Sequence, residues 1–232
     1  MDLSDPGTAA ALCAEALGRA GIPHALYGGL LLAAYGEPRE THDAGFAVVD
    51  ADAGAVGKAL AAAGLEARLT FADVRFGGHS LDRFALLGSP SLSGMNVLDI
   101  VRPRSPRYRS TAIERALAGP LFEVVMRALA PEDFVVFKLL STRDKDLRDA
   151  GTVFRAIGGR LDAALIRREV DALAGEIPDV DIRGRLGALV RLVQDPAEWG
   201  PGGEMEGEVH EMTPAQWKRL APSPRPRVRR RK

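Results

Sequence analysis

Residues 26–50, LYGGLLLAAYGEPRETHDAGFAVVD, hold the densest set of groups in this chain that could do chemistry. Gly28-Gly29 joins an apolar strand-like run to a short helical one. A strand–Gly-Gly–helix turn lets backbone N–H groups approach a phosphate, and the helix N-terminus adds positive potential. A glycine pair alone is more often a plain turn, so its neighbours in sequence must give it meaning. Asp43 enters the next strand after thirteen intervening residues, where a carboxylate can hold a divalent cation against that phosphate. Arg39, in the turn between them, either contacts a phosphate or caps the turn.

Lys138 is a cation within an otherwise apolar helical run, DFVVFKLL. Periodicity by itself reads it as a surface lysine whose stem packs on its neighbours. In residues 143–149, RDKDLRD, six of seven are charged. The i,i+3 and i,i+4 spacing of Arg143, Lys145, Asp146 and Asp149 reads as a solvated helix face laced with ion pairs. The alternative is that Lys145 or Asp146 reaches back into a cleft. The four histidines lack zinc-ligand spacing, and His42, next to Asp43, would face the other side of a strand. No serine sits in a nucleophile-elbow context. The single cysteine, Cys13, excludes an internal disulfide and reads as a small core residue. Gly77-Gly78 reads as a hairpin turn.

Positioning these groups falls to elements legible from composition and period. The 232 residues are 46% hydrophobic and 27% charged, enough for a core and against wholesale disorder. Aromatics, at 6%, are too sparse for a single-strand stacking platform. A helix is predicted over 8–20, stopped by Gly21-Ile22-Pro23. Next come a strand at 24–27, a two-turn helix after Gly28-Gly29, a strand at 46–49 and a helix at 53–63. Short alternating runs from 65 to 101 predict a β-meander. A loop over 102–109, a helix over 111–117 and a strand over 122–127 complete the first half. From Pro131 the period turns helical, with Phe134, Phe137, Leu140, Leu147 and Phe154 spaced as one segment to about 157. Two further helices are predicted at 161–174 and 181–193, then a loop, a short MTPAQWKRL helix and a basic tail. The expected fold is thus α/β (α+β): a mixed-sheet domain over 1–128, a helical region over 129–220 and a tail over 221–232.

Gly28-Gly29, Tyr35-Gly36, Pro38-Arg39, Thr41 and Asp43, in this order and spacing, resemble the signature of the nucleotidyltransferase superfamily of polymerase-β-like fold. The likeness is greatest to small bacterial members related to abortive-infection (AbiE-type) toxins. A second segment, PEDFVVFKLLSTRDKDLRDA, resembles the downstream helical part of those proteins through Lys138, Arg143, Lys145, Asp146 and Asp149. Between the two, NVLDIV offers Asp99 as the third carboxylate of the pattern. The resemblance spans roughly residues 20–155. It implies that Gly28 and Gly29 cradle phosphate, that Asp43 and Asp99 hold Mg²⁺, and that Lys138 neutralises the triphosphate. It also places Arg39, Lys145 and Asp146 near the nucleotide. The implied reaction is Mg²⁺-dependent transfer of a nucleotidyl group from an NTP to a hydroxyl on RNA, protein or a small molecule.

One departure bears on that reaction. The family's metal-binding pair is Asp-x-Asp, whose side chains lie on one strand face with Cα atoms ~6.5–7 Å apart. Here the second position is Gly45. Asp50, seven strand residues beyond Asp43, would lie ~23 Å away. Transfer is therefore expected to be weak or absent, unless an acid such as Asp73 or Asp82 folds back to help. The alternative is a catalytically inactive relative, a pseudoenzyme binding nucleotide, RNA or a protein partner in a toxin–antitoxin or phage-defence system.

The formal charge of zero conceals an asymmetry. Residues 222–232 carry six of the 31 bases and no acid, so the remaining residues are about −6. Such a tail either binds tRNA or other RNA through its phosphates or serves as a solubilising end. No basic leader precedes an apolar run at the N-terminus, and no apolar run approaches ~18 residues. The expectation is a cytoplasmic protein without a membrane partner.

Overall fold

The computed structural model describes residues 2–38, 40–89 and 92–194. Arg39, the MTPAQWKRL segment and the tail at 221–232 lie outside the described residues. Helix α1 (Pro6–Arg19) starts where Asp5 accepts a hydrogen bond from the Thr8 N–H at 2.7 Å, with Pro6 opening the first turn. Strand β1 (His24–Tyr27), helix α2 (Gly29–Tyr35), strand β2 (Asp43–Val48) and helix α3 (Ala53–Ala62) come next. The meander is three long strands, β3 (Glu66–Phe76), β4 (His79–Ser89) and β5 (Leu92–Pro103). Helix α4 (Pro106–Glu114) and the hairpin β6 (Leu117–Leu121) and β7 (Val124–Ala128) complete the sheet-bearing half. Helices α5 (Pro131–Leu140), α6 (Asp144–Ile157), α7 (Ala163–Glu176) and α8 (Ile182–Gln194) close the described chain.

The seven strands of the described residues form one sheet in the order β3-β4-β5-β2-β1-β7-β6. It is mixed: β2 pairs parallel with β5 and β1 parallel with β7, and the other neighbours are antiparallel. The chain is therefore an α/β protein, a mixed sheet followed by helices. Helix α5 lies in the core, buried along nearly its whole length. Its Phe137 ring packs 5.2 Å from Tyr27 and 5.8 Å from Tyr108, centroid to centroid. The same hydrophobic cluster continues through α6, α7 and α8. Arg115 ties α4 to this layer, since it donates to Asp133 on α5 and to Glu169 on α7. No helix among the described residues is long and apolar enough to cross a membrane.

Several expected boundaries move for identifiable reasons. The helix expected over 111–117 begins instead at Pro106, because Ser105 caps it by accepting from the Tyr108 N–H at 3.0 Å. The strand expected over 122–127 is the second arm of a hairpin whose turn residues, Phe122 and Glu123, both have positive φ. With no glycine or asparagine there, that turn carries none of the usual sequence signal. The single helical segment expected over 131–157 breaks at Ser141, whose backbone is extended. Its hydroxyl hydrogen-bonds Asp146 and accepts from the Arg143 N–H, a local alternative to continuing the helix.

Gly77-Gly78 does form the hairpin turn between β3 and β4, and it is also an anchor. The Gly78 N–H donates to the Leu140 carbonyl at the end of α5 at 2.8 Å, and the Gly78 carbonyl accepts from the Arg104 N–H at 2.8 Å. Gly77 has φ +56°, and a Cβ there would lie 2.5 Å from the Leu140 oxygen. Gly77→Ala is therefore expected to cost about 1–3 kcal/mol, read as a fall of several degrees in the thermal unfolding midpoint. Gly119→Ala, whose Cβ would meet nothing within 4 Å, should change it by less than about 0.5 kcal/mol.

Candidate functional site

Strand register builds the site. Tyr27 on β1 lies opposite Gly45 on β2, Gly45 opposite Asp99 on β5, Asp99 opposite Arg83 on β4, and Arg83 opposite Phe71 on β3. Five strands thus present one row of residues across a sheet face. Asp43, two residues before Gly45, joins it on the same side. Above the row, between the sheet and the α5–α6 joint, is a cleft of about 100 Å³. Gly28, Gly29, Asp43, Asp99, Lys138, Lys145 and Asp146 all line it. A second cavity of about 250 Å³ shares Asp43, Arg83 and Lys145 with the first.

Asp99 is not a free ligand. Arg83 Nε donates to its Oδ1 and Arg83 Nη2 to its Oδ2, each at 2.7 Å, a two-pronged fork that engages both oxygens. The guanidinium also lies 5.6 Å from the centre of the Phe71 ring. Asp43 accepts from the Thr41 hydroxyl at 2.7 Å. Arg83 gave no sign of itself in the sequence. It sits in an alternating strand like any surface arginine, and its role depends on the β4–β5 register.

The position between these acids is closed as well. A Cβ on Gly45 would lie 2.8 Å from the Tyr27 carbonyl oxygen. Gly28, with φ +98°, turns the chain out of β1 just beyond, and its Cα would be 4.0 Å from the same Cβ. Glycine at 45 lets that turn settle onto β2. The acids considered as substitutes do not reach the cleft. Asp82 is buried in a two-pronged pair with Arg102, at 2.6 and 2.7 Å, and also accepts from the Asp73 N–H. The Asp73 carboxylate is taken by the Ser80 hydroxyl. Among the described residues, no group of three or more His, Cys, Asp or Glu side chains converges to hold a metal ion. A two-Mg²⁺ centre does not fit this donor set, because one carboxylate is missing and another is occupied by a guanidinium.

Lys138 proves to be neither a surface lysine nor a free cation. It is buried, and its Nζ donates to Asp146 Oδ1 and to Asp149 Oδ2, both at 2.6 Å. The Tyr27 and Phe134 rings lie 5.3 and 5.4 Å from the ammonium. Burial alone opposes the charge, but the Tyr27 oxygen and the two carboxylates outweigh it and raise the lysine's pKa. Asp146, fully buried, accepts on its other oxygen from Ser141 at 2.5 Å and from Arg143 at 2.6 Å. Burial works against its charge too, yet Lys138, Arg143 and Ser141 hold its carboxyl well below the usual range. The cluster fixes the α5–α6 corner that forms the cleft's upper wall. Arg143 also lies over Phe76, 5.0 Å from the ring centre. Lys145, in the first turn of α6, is exposed and has no ion-pair partner among the described residues.

His79 lies at the cleft's buried end. Its Nε2–H donates to the Phe137 carbonyl at 2.9 Å, which leaves Nδ1 as a bare acceptor with no partner among the described residues. Burial pushes its pKa down to about 4, so the ring is neutral at pH 7.

No family model matches the sequence, and no curated protein matches it. Among solved structures, the chain is similar to an antigenic nucleotidyltransferase-like protein from Paracoccidioides brasiliensis. They share 18% identity and a TM-score of 0.46, over 75% of this chain and 89% of that one.

Lys138→Met would leave two buried carboxylates without their shared cation and is expected to cost about 3–5 kcal/mol in urea unfolding. Stability should also fall on acidification in two steps. The unfolded chain protonates His79 near 6.5, before the folded one does near 4, so stability drops across that window. Asp146 contributes fully above its ordinary pKa of 3.8, and that share is lost as pH falls through its lower folded value. His79→Leu should flatten the first step and Asp146→Asn the second, measured as midpoint against pH.

Proposed function

We propose that the chain is a nucleotidyltransferase-like protein whose cleft binds a nucleotide and lacks the two-metal centre that transfer requires. The carrying observation is the Arg83 fork on Asp99 beside Gly45. In a two-metal site, paired carboxylates bind one cation on the triphosphate and another that activates the attacking hydroxyl. Here the row that would supply those acids reads Gly45, Asp99, Arg83, so one ligand is absent and its neighbour already has a counter-charge. Retention of a nucleotide is supported by the convergence of Gly28 and Gly29, Asp43 and the exposed Lys145 on one cleft. Lys138 and Asp146 serve that cleft by holding its wall. The superfamily reading rests on the sequence motif and this convergence.

The test is direct. Purified protein with Mg²⁺ and each labelled NTP should label neither itself nor a tRNA pool, while calorimetry detects binding of at least one NTP. Lys145→Ala should weaken that binding about 3–10-fold, the loss of one exposed charge contact. Label transfer that Asp43→Ala abolishes would overturn the inactive assignment. Gly45→Asp should lower the unfolding midpoint without creating transfer, because the new side chain meets the Tyr27 carbonyl and Asp99 stays engaged by Arg83.

A further inference from the structure

The same cleft says how its ligand must be charged, an inference that rests on the nucleotide reading above. We propose that Arg83 stands in for the divalent cation, so that the cleft takes the nucleotide as a metal-free polyphosphate anion. Metal sites of this kind are rich in carboxylate, and the bound ions make up the charge. This cleft is built the other way. Its lining holds four cations, Arg83, Lys138, Arg143 and Lys145, against three carboxylates, Asp43, Asp99 and Asp146. Asp149, which accepts from Lys138, brings the charges level, so the carboxylates here are already balanced by protein side chains.

Arg83 is also placed to meet a phosphate. A guanidinium has five N–H donors, of which Asp99 takes two. The others have no partner among the described residues, and the side chain, 37% exposed, borders both cavities. The fork is delocalised, permanently charged and matched to phosphate oxygens. Asp99 is neutralised by the pairing and repels an incoming phosphate less than a free carboxylate would. Phe71, on the strand beyond β4, supports the guanidinium from the side away from Asp99, so the charge stays on the row. A divalent ion that sought Asp99 would have to displace a permanent cation hydrogen-bonded to both its oxygens.

Calorimetry with ATP, GTP, CTP and UTP, each in EDTA and in Mg²⁺, separates the possibilities. The expected result is binding in EDTA at least as tight as in Mg²⁺, because chelation by the metal removes charge from the phosphate. Arg83→Met should weaken binding in EDTA tenfold or more. It should also acquire Mn²⁺ binding in a titration with the metal alone, followed by electron paramagnetic resonance, because Asp99 is released beside Asp43. The wild-type chain should show no such uptake. Binding that occurs only with Mg²⁺, or an Arg83→Met variant with unchanged affinity in EDTA, overturns the stand-in role and leaves the nucleotide reading intact. Absence of binding by all four NTPs in both buffers overturns the nucleotide reading itself. The wild-type comparison uses no variant, so a misfolded Arg83→Met cannot shield the proposal.

Discussion

A carboxylate has two oxygens, and on β5 both are given to the strand beside it. The antiparallel register of β4 on β5 sets Arg83 against Asp99, and the parallel register of β2 on β5 sets Gly45 on the other side. A slip of one residue in either pairing would send these side chains to opposite faces. The chemistry of the cleft therefore depends on strand pairing as much as on residue type, and the hydrophobic core that fixes that pairing is part of the site. Leu98 and Ile100, on either side of Asp99, are completely buried on the other face and hold β5 in register.

The upper wall depends on a second charge arrangement of a different kind. Lys138, Asp146, Asp149, Arg143 and Ser141 form a closed network in which donors and acceptors answer each other. Buried networks of this kind contribute little net stability over an apolar core, but they penalise any other arrangement heavily. Here the network dictates where α5 ends and at what corner α6 begins. The segment whose sequence resembles the downstream helical part of that superfamily thus acts through its own internal pairing.

Much of this was legible in the sequence. Alternation and glycine punctuation gave the meander, and the helical period gave α7 and α8 to within a few residues but ran α5 and α6 together as one segment. The order of Gly28-Gly29, Asp43, Asp99, Lys138 and Lys145 pointed to one cleft, and the structure brings those residues together. The hidden part was relational. Arg83 is an unremarkable strand arginine until β4 and β5 are paired, and Lys138 looks like a snorkelling lysine until α6 folds back over it. Gly45 read only as a missing acid, whereas its contact with the Tyr27 carbonyl makes it a steric requirement of the turn above. The β6–β7 turn escaped notice because Phe122 and Glu123 adopt a backbone more usual for glycine or asparagine.

The anchoring of Gly77-Gly78 on the end of α5 has a mechanical consequence. The β3–β4 hairpin contributes one side of the cleft and α5 the other, and the turn bonds them together where they meet. The guanidinium of Arg104 adds a further tie to the Gly77 carbonyl. The two walls cannot swing apart like jaws without breaking those bonds. A cleft tied in this way has its backbone shape set in advance, and preorganisation of that kind reduces the free energy that binding spends on rearrangement.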